Sequence, residues 1–270
     1  MALTALQRDV CRLLASQRRG DGECYVAGGV ALSVALQTQR LSRDLDLFHD
    51  TADAVARSWD RDRRLLDGAG YTVTPLRERP GYVTALISRG EERLVAEWAR
   101  DSAFRFFPLV EHPDLGLTLH PFDLATNKVL ALVGRVEARD WVDVLACDAH
   151  LQPIGYLAWS ACGKDPGFTP QGILEQARRS ARYSQEEIDA LAFDGPPPSA
   201  ADLSRQWHRA LDAATAILGR LPAPEVGRAV LTADAHLFTG DAPTLARALA
   251  EDGLMFHAGR IGGALPQIRI

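Results

Sequence analysis

Lysine is almost missing from this chain. Of its 30 basic residues only Lys128 and Lys164 are lysine, and the other 28 are arginine. On most surfaces the two residues serve equally well, so codon bias explains the excess. Where lysine persists, a compact ammonium that the guanidinium fork cannot mimic is the physical reason to look for. Long apolar runs are missing too: none approaches 18 residues, and residues 1–14 lack the charged region, apolar stretch and cleavage site of a secretory signal. The expectation is no membrane span and a cytoplasmic location. The four cysteines, Cys11, Cys24, Cys147 and Cys162, form no CxxC, which predicts buried thiols and argues against a zinc site. There is no GK[ST], GxGxxG, GxSxG or HExxH, and no histidine pair at metal-ligand spacing. A net charge of −5 argues against non-specific nucleic-acid binding by the whole surface, though not against a local arginine-lined groove.

What is present is ample for a core: 47% of the residues are hydrophobic and 24% charged. Residues 3–18 have helical apolar spacing, with an end expected at Gly20 and Gly22. Residues 23–29 read as a strand running into Gly28-Gly29, residues 30–40 as a short apolar helix, and residues 42–48 as a strand. Residues 51–70 read as a helix capped by Thr51. Three strand-like segments follow, the last two joined by a tight turn at 89–92. Residues 115–135 join a strand to a helix, and 138–151 form another helix, with a possible break near Gly134. Beyond residue 150 the texture is mainly helical, with a proline-rich linker at 193–203 and a strand–helix–strand end. The expectation is an α+β (α/β) chain: a mixed sheet with flanking helices over 1–150, then a mainly helical domain over 151–270.

Three features in the first part reinforce one another. Gly28-Gly29 lies between a strand and a helix, which is either a tight turn alone or a cradle of backbone N–H groups for phosphate. In Ser42-Arg43-Asp44-Leu45-Asp46, period two puts Ser42, Asp44 and Asp46 on one strand face. Two adjacent carboxylates repel each other; they belong either to a solvated edge or to a divalent cation such as Mg²⁺ or Mn²⁺. Glu97 is charged within an otherwise apolar strand, where it is a third ligand or pairs with a neighbouring arginine. Downstream, Lys128, Arg135 and Arg139 at i, i+7 and i+11 share a narrow arc if the helix is continuous, with Asp143 not far round. If the chain breaks, Lys128 and Asp143 can still face one cleft from two helices. The arginines at 57, 61, 63, 64, 178, 179 and 182 read as exposed helix faces.

Gly28-Gly29 with Ser42-Arg43-Asp44-Leu45-Asp46 resembles the signature of the DNA polymerase β-like nucleotidyltransferases. Asn127-Lys128, Arg135 and Arg139-Asp140-Trp141-Val142-Asp143 narrow the resemblance to the AbiEii/AbiGii-type nucleotidyltransferase toxins, over about residues 20–150. The resemblance implies Mg²⁺-dependent transfer of a nucleotide from an NTP to an acceptor, with RNA (tRNA) as the leading acceptor and an antitoxin protein as partner. It implies metal ligation by Asp44 and Asp46, with Glu97 as third carboxylate where the family commonly has aspartate. It places Gly28, Gly29, Ser42, Lys128, Arg135 and Arg139 on the nucleotide, and Asp143 either there or orienting Lys128. Two alternatives stay open: transfer to a small molecule such as an antibiotic, and a non-catalytic nucleotide-binding module.

Overall fold

The computed structural model describes residues 3–18, 23–180 and 182–267. The expected stop at Gly20 and Gly22 lies outside the described residues. In chain order the elements are α1 (Ala5–Arg18), β1 (Cys24–Ala27), α2 (Gly28–Leu36), β2 (Arg40–Leu41), β3 (Asp44–His49), α3 (Ala52–Gly68), β4 (Thr72–Arg79), β5 (Tyr82–Arg89) and β6 (Glu92–Arg100). Then come β7 (Phe104–Arg105), β8 (Val110–His112), β9 (Gly116–Thr118), α4 (Pro121–Arg135), α5 (Ala138–His150), α6 (Ile154–Ala161), α7 (Pro170–Ser180) and α8 (Gln185–Asp189). The rest are β10 (Ala192–Phe193), α9 (Ala200–Leu218), β11 (Arg228–Thr232), α10 (Ala242–Ala250), β12 (Leu254–Ala258) and β13 (Arg260–Ile261).

Two compact units result: residues 1–103, 109–120 and 192–194 form the first, and 104–108, 121–191 and 195–270 the second. The division differs from the expected boundary at 150 because α4 and α5 pack on the later helices α6, α7 and α9. The proline-rich stretch is also more than a linker. Its first residue, Phe193, belongs to β10, which pairs antiparallel with β2 through Ala192–Leu41 and Phe193–Arg40.

The first unit is built on a seven-stranded sheet of order β4-β5-β6-β3-β1-β9-β8, in which β3/β6 and β1/β9 are parallel and the other pairs antiparallel. Strict alternation decides its two faces. Leu45, Leu47, Leu94, Ala96, Trp98, Val83, Ala85 and Ile87 are buried under α1 and α3. There Trp59 meets Trp98 edge-on at 4.9 Å, and the Trp98 indole donates to buried Asp62 at 2.8 Å. Burial of each such large side chain contributes on the order of 3 kcal/mol. The intervening residues, Asp44, Asp46 and Glu97 among them, are only half-buried. Thr51 caps α3 as expected, accepting from the Ala54 N–H at 3.1 Å. Gly90 supplies a positive φ of 63° to the β5–β6 turn.

The second unit is mainly helical. All eight residues of α6 are buried, with α4, α5, α7, α9 and β11 packed around it. A Cβ on Gly155 would meet the Ala214 backbone at 3.0 Å, so glycine permits the close α6–α9 crossing. β11 and β12 form an antiparallel pair with α10 between them in sequence, the predicted strand–helix–strand end.

Candidate active site

The first unit gathers the predicted glycines, serine and carboxylates on the open side of its sheet. Asp44 and Asp46 share a face of β3, and the parallel register places Glu97 directly beside Asp46. The end of β1 delivers Gly28 against this pair. A Cβ on Gly28 would lie 1.7 Å from Asp46 Oδ2, and its φ of +64° disfavours any side chain. A Cβ on Gly29 would meet Arg40 Nη2 and Ser42 Oγ, each at 2.7 Å. The N-terminus of α2, where the first N–H groups have no intrahelical partner and the helix dipole is positive, is therefore ringed by Asp46, Ser42 and Arg40. Glycine suits both positions because a Cβ at either would overlap a neighbouring side chain.

Glu97 already has one partner: Tyr82 donates its hydroxyl to Oε1 at 3.0 Å, and Thr84 donates to the Tyr82 oxygen at 2.8 Å. Among the described residues no group of three or more His, Cys, Asp or Glu side chains is placed to hold a metal ion. Asp44 and Asp46 remain a two-carboxylate oxygen donor set. That set suits a hard cation such as Mg²⁺, which takes one or two carboxylates and completes its shell with water and phosphate oxygens.

Two residues of this region escaped the sequence reading. Arg40, buried at 5% exposure, falls on the same period-two series as Ser42, Asp44 and Asp46, a signal that was there to use. Gln7 is the other. With Thr4 it forms a capping box on α1, the Gln7 N–H donating to Thr4 Oγ1 at 3.1 Å and Gln7 Oε1 accepting from the Thr4 N–H at 3.0 Å. Its Nε2 donates to the carbonyls of Ser42 at 2.8 Å and Arg43 at 3.3 Å, which anchors the segment leading into β3.

In the second unit the single arc of cations does not form. α4 ends at Arg135, Val136 takes a φ of +55°, and α5 starts at Ala138, so the break falls just after Gly134. The residues fold into an ion cluster instead. Lys128 Nζ lies 3.1 Å from Asp140 Oδ1 and 2.9 Å from Asp143 Oδ2. Arg135 grips Asp140 with two hydrogen bonds, Nε at 2.7 Å and Nη2 at 2.9 Å. Arg139 leaves the arc and pairs with Glu137 at 2.5 Å. Asp143 pairs with Lys128, one of the two placements expected of it; Asp140, fully buried at the centre of the cluster, was not singled out. Burial pushes the Asp140 carboxyl up, but the Arg135 hydrogen bond and the Lys128 and Arg135 charges outweigh it and hold the group below its ordinary 3.8.

A surface hollow of about 520 Å³ between α1, the α3–β4 turn and Arg89 contains none of these groups. Its charges are matched locally, Arg89 with Asp9 at 2.8 Å and with the Tyr71 hydroxyl at 3.0 Å. Among the described residues no helix is long and apolar enough to cross a membrane.

No protein-family model and no curated protein matches the chain. Solved structures do. The chain is similar to JHP933 from Helicobacter pylori, at 14% identity and a TM-score of 0.54 over 80% of this chain and 95% of that one. It is also similar to MenT4, a nucleotidyltransferase toxin from Mycobacterium tuberculosis, at 19% identity and a TM-score of 0.52 over 82% and 85%. At such identities the likeness is one of architecture. With the carboxylate pair on its mixed sheet, this chain has the nucleotidyltransferase fold.

Proposed function

We propose that the protein is a Mg²⁺-dependent nucleotidyltransferase that moves a nucleotide from an NTP to a hydroxyl of RNA, as the toxin partner of an antitoxin protein. One observation carries the reading: Gly28 gives up its side chain so that the start of α2 can abut Asp46, beside Asp44, Ser42 and Arg40. Phosphates belong at such a helix start, and a hard cation belongs on the carboxylates. Similarity to a nucleotidyltransferase toxin supports the same reading.

In the proposed reaction the acceptor oxygen forms a bond to the α-phosphorus, the bridge from that phosphorus to the β-phosphate breaks, and pyrophosphate leaves. The hydroxyl proton passes to a site carboxylate, for which Glu97 is positioned beside Asp46. Bound Mg²⁺ supplies Lewis-acid neutralisation of the phosphates and lowers the hydroxyl pKa. Asp44 and Asp46 hold it, while Ser42 and the Gly28-Gly29 amides take the β- and γ-phosphates. Lys128, held between Asp140 and Asp143, is assigned with them to fastening α4 to α5. Arg135 and Arg139, engaged by Asp140 and Glu137, are assigned to holding the α4–α5 corner.

The test is incubation with labelled NTPs, Mg²⁺ and total RNA. Label on RNA that disappears in Asp44→Ala supports the reading, and label only on a small acceptor redirects it to small-molecule transfer. A second reading, a non-catalytic nucleotide-binding module, draws on the engagement of Glu97 by Tyr82. Tight NTP binding without turnover, unaffected by Asp46→Asn, would establish it in place of the first.

A further inference from the structure

The open face of the first unit is ordered well beyond the carboxylates. Register sets Asp46 beside Glu97, Glu97 beside Thr84, and Thr84 beside Arg77, one row across β3, β6, β5 and β4. The next row runs Phe48, Ala99, Tyr82, Arg79. Register partners share a face. At about 4.8 Å per strand, Arg77 stands roughly 14 Å across the face from Asp46.

A bulge in β4 selects these arginines. Thr72 and Thr74 lie on the open face, so uninterrupted alternation would continue with Leu76 and Glu78. The register shifts between Pro75 and Arg77, and Arg77 and Arg79 take the open face instead. One inserted residue thus replaces an apolar–acidic pair with two cations. Both arginines are exposed. The Arg77 guanidinium lies over the Tyr82 ring, 5.8 Å from its centroid, and the Tyr82 hydroxyl is fixed between Thr84 and Glu97.

We infer that this face is the docking track for the single-stranded 3′ end of the nucleic-acid acceptor, with Arg77 and Arg79 taking backbone phosphates and the terminal hydroxyl directed to Asp44 and Asp46. The inference rests on the nucleotidyltransferase reading and specifies how its acceptor is held. Charge complementarity selects the occupant: a polyanion spans the distance from the arginines to the carboxylates, whereas a small acceptor at the carboxylates has no use for cations that far away. The Arg77–Tyr82 stack adds a planar surface on which an unpaired base can lie.

The experiment measures fluorescence anisotropy of the full chain with a single-stranded oligoribonucleotide, labelled at its 5′ end and carrying a free 3′ hydroxyl. Arg77→Glu/Arg79→Glu is expected to weaken binding by about tenfold or more at low salt. Loss of two phosphate contacts should also lower the slope of log affinity against log salt by about 1.4. Arg77→Gln/Arg79→Gln repeats the test without charge reversal, and Glu78→Ala, on the opposite face, should leave affinity unchanged. Calorimetric NTP–Mg²⁺ binding by each variant reports folding and tests the underlying reading separately. Loss of RNA affinity with NTP binding retained supports the track. Unchanged RNA affinity in both double variants, no RNA binding by the wild type, or equal affinity for a polyglutamate peptide overturns it. Failure of the wild type to bind NTP would instead overturn the nucleotidyltransferase reading.

Discussion

Asp46 and Asp140 are the same side chain in opposite circumstances. Asp140 is fully buried, and three hydrogen bonds from Lys128 and Arg135 match its charge. Asp46 is half-buried on an open sheet face, with a second aspartate two residues away and a helix start at its back. Sealing a charge among fixed partners makes it structural, because it can exchange neither partner nor proton without cost to the fold. Leaving a charge pair accessible beside an anion-attracting helix end leaves it able to take a ligand. The second unit therefore uses Asp140 as a fastener, and the first leaves its aspartate pair half-buried on a sheet face.

Substitution should separate the two behaviours, most sharply at the site. Asp46→Asn should lower nucleotidyl transfer about a thousandfold, equivalent to about 4 kcal/mol of transition-state stabilisation, and shift urea-unfolding free energy by less than about 0.5 kcal/mol. Gly28→Ala leaves every carboxylate in place, yet its methyl would need the position of Asp46 Oδ2. It should abolish measurable transfer as well. Full activity in Gly28→Ala would break the comparison.

Asp140→Ala should do the reverse and destabilise the chain by about 3 kcal/mol in the same unfolding assay, because buried Lys128 loses one of its two carboxylate partners and Arg135 its bidentate one. Acid provides an independent check. The folded Asp140 carboxyl sits below 3.8, so its stabilising contribution is complete above that pH and is lost as pH falls through the lowered value. The stability gap between wild type and Asp140→Asn should accordingly narrow as pH drops below 3.8.

Lys164→Arg should cost less, on the order of 1–2 kcal/mol, because a flat fork cannot converge where the ammonium does. Lys164 Nζ serves three acceptors: Asp123 Oδ1 at 2.8 Å, the Asp123 carbonyl at 3.0 Å and Asn127 Oδ1 at 2.7 Å. Smallest is Gln7→Met, which removes the donor under Ser42 and Arg43. It should cost about 1 kcal/mol and raise KM for NTP by about fivefold in steady-state assays.

Much of the first unit was legible because alternation and glycine placement are local properties. Leu45 and Leu47 against Asp44 and Asp46 declared which face of β3 is covered, and the pattern around Glu97 did the same for β6. Both lysines are nearly sealed among acceptors. What stayed hidden depends on backbone geometry or on distant chain. Gly134 announced a possible break, but a positive φ at β-branched Val136 is sterically disfavoured, so nothing local announced the turn that throws Arg139 off the arc and brings Asp140 to Lys128. Thr4-x-x-Gln7 was readable as a capping box, but its grip on Ser42 is a tertiary contact. Pro75 within a strand is the ordinary mark of a bulge or an edge, and the consequence for Arg77 and Arg79 could have been drawn from it.

The pairing of β10 with β2 has a temporal side. Arg40 and Leu41 lie just before the Asp44–Asp46 strand, yet their partners are Ala192 and Phe193, and the Asp194 N–H closes on the Gln39 carbonyl at 2.7 Å. During synthesis at about 5–20 residues per second, the partner strand emerges roughly 8–30 seconds after β2. Until then Gln7, donating to the Ser42 and Arg43 carbonyls, and Ser33, whose hydroxyl donates to the Arg40 carbonyl at 2.8 Å, tether this segment from the side already made. A nascent chain therefore holds Asp44 and Asp46 before it holds the β10 partner of the segment leading into them, and the ribosome finishes most of the protein before that pairing can form.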